Sequence, residues 1–595
     1  MDTIIQILAR ELGRSEAHVE NVVRLIDEGN TIPFIARYRK ELHGAMDDTA
    51  LRTLADRLQY LRNLDKRREE VKSAIEGQGK LTEELSAAID AAATLAEVED
   101  LYRPYRQKRR TRATVAREKG LEPLAELLFA QAADGPAPEE AAGAFVDPEK
   151  GVETAEDALQ GASDIIAERI SDDADIRKRL RELVWKKGYL VSAAAAKEPE
   201  DTVYRLYYAF RSPLNRVQGH QVLAINRGER EGVLKVSVEM EREAALIPVR
   251  RAVLNPGAPA MAFVRAAAED AYDRLIFPSV EREMRGLLTE QADEGAIKMF
   301  GLNLKPLLMQ PPVKGFVTMG LDPGYRNGCK VAVVDATGKV LDTAVVYPTF
   351  SQRKKEEAID ALAKLIRRHG VAHIAIGNGT ASRETEQMAV ELIQRLGGGV
   401  SYMIVNEAGA SVYSASKLAA EEFPDYDVNL RSAVSIARRL QDPLAELVKI
   451  DPKSIGVGQY QHDMPQARLD ETLSGVVEDC VNAVGVDLNT ASAPLLSYVA
   501  GLNNTTARNI VKYREENGAF TTRKGVLKVP KLGPKAFEQC AGFLRVPESR
   551  NVLDHTGVHP ESYGAAEALL TLCGYGLSDV KAGGLDGLRE RVAAY

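Results

Sequence analysis

Two acidic residues, Asp322 and Glu407, stand where apolar, strand-like segments end. Asp322 closes the segment VTMGL and is followed by Pro-Gly, and Glu407 comes two residues after the segment SYMIV. A carboxylate at the rim of a sheet is a typical ligand for a metal ion and a typical neighbour of a phosphate. The alternative is that Asp-Pro-Gly only forms a turn. These segments alone leave both interpretations open.

The surrounding pattern predicts the elements that position the two acids. Three short apolar runs separated by turn signals, between residues 317 and 346, predict a strand meander. A helical segment at 356–369, the strand-like HIAIGNGT, a second helix and SYMIVNEAG then follow. Strands alternating with helices after a meander resemble the ribonuclease H-like fold in its YqgF form.

Longer motifs narrow this resemblance. The strings GLDPGYRNGCKVAVVD, IAIGNGTASRETEQ, VNEAGASVYSASKLAAEEFP and IGVGQYQHDM are similar to those of the Tex family of bacterial RNA-binding transcription accessory proteins. The resemblance covers essentially the whole chain. It implies binding of RNA or DNA, with RNA polymerase or the ribosome as candidate protein partners. Tex proteins normally continue into an OB-fold domain, and residue 595 comes before any such segment, so we expect this chain to lack it.

A nuclease of the ribonuclease H type needs three or four convergent carboxylates to hold two magnesium ions. In YqgF-type nucleases the helix after the last strand begins with an Asp, and the corresponding position here is Arg431. A cation at that position would repel metal ions. We therefore expect a vestigial site formed by Asp322, Glu407 and Arg431, with the guanidinium close to one of the acids. Asp427 and Asp442 are the alternatives for a third ligand.

Composition limits the other function classes. A chain of 595 residues with 45% hydrophobic and 28% charged residues is an ordinary globular protein with several cores. No apolar run approaches the ~18 residues of a membrane span, so we expect a cytoplasmic protein without membrane contact. The four cysteines lack C-x-x-C spacing, and we expect no metal and no cofactor. Because the net charge is -8, nucleic-acid binding must depend on locally basic surfaces.

The strongest motif for such a surface lies near the C-terminus. Two segments, LLSYVAGLNNTTARNIVKYREENG and VLKVPKLGPKAFEQCAGFLR, resemble tandem helix-hairpin-helix motifs. A tight hairpin lets backbone amides face a phosphate, which is a contact independent of base sequence. From residue 501 to 545 there are nine basic residues against three acids. The predicted contacts are Gly501, Leu502, Asn503, Arg508, Lys531, Gly533 and Lys535; the alternative is a purely structural hairpin.

A second basic stretch precedes the central region. Between residues 103 and 117 there are seven basic residues and no acid, with Tyr102 and Tyr105 beside them. Cations neutralise phosphates and aromatic faces stack on unpaired bases. The segment is therefore a candidate nucleic-acid contact, with a solvated loop as the alternative. Its predicted contact residues are Arg106, Lys108, Arg109, Arg110 and Arg112.

Taken together, these patterns predict a multidomain, mainly α protein with a central α/β ribonuclease H-like (YqgF) domain and a tandem helix-hairpin-helix domain. The predicted boundaries are 1–312 for a helical region with helix-turn-helix-like elements, 313–450 for the YqgF domain, 451–550 for a connecting helix and the hairpins, and 551–595 for a further helical region. The predicted function is a non-catalytic, sequence-independent nucleic-acid-binding scaffold in transcription. The alternative is a metal-dependent ribonuclease H-like nuclease or resolvase.

Overall fold

A computed structural model describes residues 2–456 and 458–595. Of the IGVGQYQHDM motif, Val457 lies outside the described residues. The described chain divides into two compact units, one formed by residues 2–11 and 56–296 and the other by residues 12–55 and 297–595 without 457. None of the helices in the described part of the chain is long and apolar enough to cross a membrane.

The first half of the chain is mainly helical. A π-helix at Ala271–Ile276 separates its last two α-helices. Three strands, β1 (Tyr189–Ala194), β2 (Ala209–Pro213) and β3 (Leu234–Glu239), form an antiparallel sheet with β1 in the middle. The helices are α1 (Ile4–Leu12), α2 (Glu16–Asp27), α3 (Ile32–Tyr38), α4 (Lys40–His43), α5 (Asp48–Gly77), α6 (Glu83–Ala91), α7 (Leu95–Tyr102), α8 (Arg112–Glu118), α9 (Glu122–Ala130), α10 (Pro138–Gly143), α11 (Ala155–Ser171), α12 (Ala174–Lys187), α13 (Gly219–Arg230), α14 (Arg242–Val253), α15 (Met261–Asp270) and α16 (Phe277–Leu308).

The central region is the predicted α/β domain. Its strands are β4 (Thr318–Asp322), β5 (Cys329–Val334), β6 (Val340–Val346), β7 (His373–Gly377) and β8 (Ser401–Val405). Its helices are α17 (Gln352–His369), α18 (Ser382–Arg395), α19 (Ala410–Ser414), α20 (Lys417–Glu422), α21 (Val428–Gln441) and α22 (Pro443–Leu447). The sheet order is β6-β5-β4-β7-β8, with an antiparallel meander followed by strands parallel to β4. The predicted meander and the predicted alternation of helices and strands are confirmed.

Strand β4 is buried on both faces, which explains its nearly continuous apolar sequence. Met319 and Leu321 pack into the apolar core that contains residues of α17 and α18. On the opposite face, Gly320 lies under α21, where an added Cβ would come within 2.2 Å of the Ala433 carbonyl oxygen. Because side chains alternate along a strand, Asp322 belongs to the same face as Gly320.

The C-terminal region is again helical. Its helices are α23 (Gln466–Val484), α24 (Ala493–Ser497), α25 (Asn504–Asn517), α26 (Pro534–Cys540), α27 (Tyr563–Leu572), α28 (Leu577–Lys581) and α29 (Leu588–Ala594), with a 3₁₀ helix at Arg523–Lys528. Two short parallel strands, β9 (Val486–Asp487) and β10 (Leu544–Arg545), bracket the two hairpins.

Residues 12–55 belong to the same compact unit as this C-terminal region, whereas we predicted one helical region over 1–312. Residues far apart in sequence are in contact within this unit. The Thr31 N–H and Oγ1 donate to Gln539 Oε1 at 2.9 and 3.1 Å. The Tyr38 hydroxyl donates to the Gly557 carbonyl at 2.8 Å. Pro33 lies in the first turn of α3.

Candidate nucleic-acid interface and the carboxylate pair

Asp322 ends β4 in a largely desolvated position. Burial, and after it the charge of Glu407, raise the pKa of its carboxyl to about 6, although Lys330, its partner on β5, opposes the rise. Burial disfavours an ionised carboxylate, and a second acid nearby adds repulsion. The two predicted acids are therefore close enough for the charge of Glu407 to act on Asp322.

Glu407 lies in a space that two glycines leave open. A Cβ added to Gly379 would come within 1.7 Å of Glu407 Oε1, and one added to Gly377 within 2.2 Å of Oε2. The Glu407 N–H donates to Asn378 Oδ1 at 3.1 Å, while its own Oε2 is buried without a hydrogen-bond partner. Burial raises the pKa of Glu407, and the Gly379 N–H and the charge of Arg439 partly offset that rise.

Arg431 does not pair with either acid, so the prediction for its guanidinium is wrong. Its Nε donates to the Phe423 carbonyl at 3.1 Å and its Nη1 to the Ser414 carbonyl at 3.2 Å. The helix register is the physical reason. Asp427 caps α21, accepting from the Leu430 N–H at 2.8 Å, and this places Arg431 near the start of the helix, where it contacts the C-terminal ends of α19 and α20.

The cation that faces Glu407 is Arg439, which sequence reasoning missed. It is 3% exposed, and its Nη1 donates to the Asn406 and Ala408 carbonyls, both at 2.8 Å. Its Nε and Nη2 are buried without partners, and burial lowers its pKa to about 10. The sequence contains one indication of its position. Arg439 follows the apolar Ile436 by three residues, and residues three apart share a helix face. Ile436 packs beside Gly377, next to Glu407.

The carboxylates do not match the two-magnesium site of ribonuclease H-like nucleases. Asp427 is a helix cap, and Asp442 caps α22 and pairs with Lys314 at 3.1 Å. Within residues 2–456 and 458–595, no group of three or more metal-ligating side chains comes together. Two acids beside a buried guanidinium do not supply the ligands and negative charge that a pair of divalent ions requires.

The two hairpins have matching backbones. Val499-Ala500-Gly501-Leu502 joins α24 to α25, and Val529-Pro530-Lys531-Leu532 joins the 3₁₀ helix to α26. Gly501 has φ +78° and Lys531 has φ +65°, so the same turn position is left-handed in both motifs. Leu502 and Leu532 are buried in the domain. Asn503 and Gly533, the residues before the second helices, are exposed.

Gly501 has a packing role as well as a turn role. An added Cβ would lie 2.5 Å from Gln539 Cβ and 3.1 Å from the Ala536 carbonyl oxygen, both on α26. The first hairpin therefore packs against the second motif. Leu502 stays a predicted contact, but its side chain is buried and its N–H donates to the Val499 carbonyl at 3.0 Å.

The nine basic residues of this region separate into two groups. Arg514, Arg523 and Arg545 are structural: each donates to backbone carbonyls, and Arg523 is only 1% exposed. Lys535 donates to the Glu28 carbonyl, so its ammonium is already engaged. The remaining five basic side chains are exposed: Arg508, Lys512, Lys524, Lys528 and Lys531.

Most basic residues of the stretch at 103–117 form ion pairs with acids outside the stretch. Lys108 pairs with Asp172, Arg106 with Glu99, Arg110 with Glu118 at 2.8 Å, and Arg117 with Glu168 at 2.9 Å. The Tyr102 ring is covered by the guanidinium groups of Arg67 and Arg106, each 5.5 Å from its centroid. Only Arg109 and Arg112, among the described basic residues of the stretch, are exposed without an ion pair.

Comparison with known proteins agrees with this arrangement. Family models match residues 2–76 (Tex-like protein N-terminal domain), 134–300 (Tex central region-like), 316–441 (Tex protein YqgF-like domain), 481–545 (helix-hairpin-helix motif) and 551–590 (HHH domain).

Relatives match over almost the full chain. The "Uncharacterized protein YdcI" of Bacillus subtilis is 52% identical over 96% of this chain and 79% of its own length. The "Transcriptional accessory protein Tex" of Neisseria gonorrhoeae is 48% identical over 99% of this chain and 77% of its own length. "Protein tex" of Bordetella pertussis is 49% identical over 95% of this chain and 74% of its own length. With this identity and coverage, the chain belongs to the Tex family.

Proposed function

We propose that this chain is a transcription accessory factor that binds the sugar-phosphate backbone of nucleic acid, chiefly through its second hairpin. The observation that carries the proposal is Lys531. A non-glycine residue in the left-handed region costs about 1–2 kcal/mol, yet an exposed lysine occupies the turn position that is glycine in the first motif. Backbone strain of this kind persists where a residue serves function.

The residues around Lys531 also support phosphate binding by the second hairpin. Lys528 is exposed at the end of the preceding 3₁₀ helix, and among the described contacts neither lysine has an acidic partner. The Asn509 amide donates to the Pro530 carbonyl at 2.9 Å, which ties α25 to this hairpin. Cations presented on an ordered backbone neutralise phosphates irrespective of base sequence.

Substitutions at Lys531 test the proposal, because they separate charge from strain. Lys531→Arg retains the cation and should bind unrelated duplex sequences like the parent. Lys531→Gly relieves the left-handed strain but removes the cation, so it should be more stable and bind more weakly. If the glycine variant binds with parental affinity, the Lys531 ammonium is not part of the interface.

We further propose that the chain is not a nuclease. The absence of a third converging carboxylate among the described residues and the buried Arg439 beside Glu407 support this. The alternative, a ribonuclease H-like nuclease or resolvase, draws on the two carboxylates at strand ends. Incubation of RNA, RNA–DNA hybrids and branched DNA with Mg²⁺ or Mn²⁺ should leave them intact. Cleavage that disappears in Asp322→Asn would establish the alternative.

We also propose that the chain acts together with the transcription machinery, with RNA polymerase as the first candidate and the ribosome as the second. The Neisseria gonorrhoeae relative is named a transcriptional accessory protein, which supports this choice. Co-sedimentation with purified RNA polymerase and with ribosomes, before and after nuclease treatment, distinguishes the two. Sedimentation with neither would exclude this partnership.

A further inference from the structure

The three-stranded sheet of the first unit has one face that is not used by its core. Leu190 and Val238 lie on the buried face. The register places Tyr189 of the middle strand opposite Pro213 on one side and Glu239 on the other. Arg211 is on the same face of β2, two residues from Pro213. An aromatic ring on the middle strand of an accessible sheet face, beside a guanidinium, is an arrangement suited to base stacking.

A cleft of about 940 Å³ opens over this face. It is lined by the sheet, by the end of α12, by the segment after β2 and by Phe277 at the start of α16. Its volume is in the range of small-molecule and cofactor sites. The short π-helix Ala271–Ile276 directly precedes Phe277, and such irregular turns frequently occur at functional sites.

The charges of the cleft are unbalanced. Its lining contains four cations, Lys186, Lys187, Arg211 and Arg216, and two carboxylates, Glu239 and Glu241. Arg211 pairs with Glu239 at 3.6 Å, and both side chains are more than half exposed. Within the described chain, Lys186, Lys187 and Arg216 form no ion pair. This contrasts with the 103–117 stretch, where most cations have acidic partners.

A purely structural explanation accounts for only part of this set. Lys186 and Lys187 are in the last turn of α12, where cations interact favourably with the helix dipole. That does not explain Arg216, which follows β2 outside any helix. It also does not explain why the Arg211 guanidinium lies 3.6 Å from the centroid of the Tyr189 ring, over a face open to solvent.

We propose that this cleft binds single-stranded nucleic acid, with one base stacked at the Tyr189–Arg211 pair and the phosphates contacted by Lys186, Lys187 and Arg216. The proposal rests on the proposed function, because it assigns a second and different contact within a nucleic-acid-binding chain. Stacking requires an unpaired base, so this site selects single strands, whereas the hairpin contacts only the backbone. RNA and DNA single strands share this chemistry.

The phosphate part of the proposal is tested with Lys186→Glu/Lys187→Glu in the full chain. Two lost contacts to a single strand reduce the salt slope by about 1.4, which at 0.1 M salt corresponds to about 25-fold weaker binding. Lys66→Glu/Lys298→Glu is the matched control, since it makes the same charge change on two exposed helical lysines outside the cleft. The control should bind like the parent. Equal losses in both variants would show a general charge effect and overturn the assignment.

The stacking part is tested with Tyr189→Leu, which removes the ring, and Tyr189→Phe, which keeps it. The leucine variant should bind a single-stranded oligonucleotide about 5- to 150-fold more weakly, the range for one lost base stack. It should bind an abasic strand of the same length like the parent, and the phenylalanine variant should match the parent on both. A leucine variant that loses affinity equally for the abasic strand would contradict stacking.

Duplex DNA separates this inference from the proposed function. The cleft variants should retain parental affinity for a blunt duplex, because its bases are not free to stack. If the parent binds both duplex and single strands while every cleft variant binds single strands like the parent, the cleft assignment fails and the hairpin proposal stands. If the parent binds no nucleic acid, both fail together. The same assays with RNA single strands and with DNA single strands show which sugar the cleft accepts.

Discussion

Replacing Asp322 with Asn should stabilise the central sheet at neutral pH. The carboxyl is buried at the end of β4, it is repelled by Glu407, and only Lys330 compensates. A functional metal or a paired arginine would offset these costs, but Arg439 hydrogen-bonds the backbone around Glu407 and is not among the causes that shift the Asp322 pKa. Asn is isosteric and neutral, so it keeps the packing and removes the charge.

The size of the effect follows from the pKa. A rise from the ordinary value of 3.8 to about 6 corresponds to about 3 kcal/mol, at about 1.4 kcal/mol for each pH unit. Because the folded-state pKa is raised, the native state binds the proton more tightly than the unfolded state between pH 3.8 and about 6. Stability of the parent therefore falls as pH rises through this window. The cost is about 1 kcal/mol at pH 4.5 and about 3 kcal/mol at pH 7.5.

Hydrogen exchange of the β4 and β5 amides measures the local stability of the central sheet. A local measurement is appropriate because a chain with several cores does not unfold in a single two-state transition. Asp322→Asn should slow their exchange relative to the parent at pH 7.5 and much less at pH 4.5. Asp335→Asn is the control with the opposite sign. Asp335 accepts from the Thr337 and Lys339 N–H groups at 2.9 and 3.0 Å, which lowers its pKa, so its loss should accelerate exchange at pH 7.5.

Two outcomes would refute the reasoning. The first is faster exchange in Asp322→Asn at pH 7.5, which would mean that the carboxylate stabilises the sheet through a partner. The second is magnesium-dependent protection of β4 in the parent that disappears in Asp322→Asn. That result would make the pair a metal site and would favour the nuclease alternative.

Three further substitutions give separate checks. Gly501→Ala should destabilise the hairpin domain by about 1–3 kcal/mol in urea unfolding, because the left-handed φ and the 2.5 Å approach to Gln539 Cβ both oppose a side chain. Arg523→Met should cost about 3 kcal/mol or more, since it removes hydrogen bonds to buried carbonyls such as Leu544 O and to the Tyr563 hydroxyl. Arg109→Ala/Arg112→Ala should reduce affinity for nucleic acid and its salt slope if these two exposed residues contact phosphates, and unchanged binding would identify the stretch as a solvated loop.

The fold of the central domain could be predicted from the sequence because its signals are local. Apolar runs of five to seven residues, turn residues and helical periodicity fixed the strands and helices, and the positions of Asp322 and Glu407 at strand ends followed. The identity of the arginine beside Glu407 could not be predicted from such local signals. Arg431 and Arg439 are on one helix, and the register that Asp427 sets by capping decides which of them faces the acids.

Counting charges could not show which cations of the 103–117 stretch are unpaired, for a different reason. The stretch at 103–117 has no acid of its own, but Glu168 and Asp172 neutralise it from a helix more than 50 residues away. Tertiary packing brings these residues together, and a sequence window does not contain that information. The cleft beside Tyr189 likewise depends on the register of three strands. It also depends on α12 and α16, which contribute residues as far apart in sequence as Lys186 and Phe277.

The most direct test of the central claim is the salt dependence of duplex DNA binding by the parent and by Lys528→Glu/Lys531→Glu. Fluorescence anisotropy at several salt concentrations, on two duplexes of unrelated sequence, gives the slope for each protein. We predict that the parent binds both duplexes with similar affinity, and that the variant binds both more weakly with a slope smaller by about 0.9 for each lost phosphate contact. A folded variant with the parental slope and affinity would contradict the assignment of the second hairpin as the phosphate-binding surface.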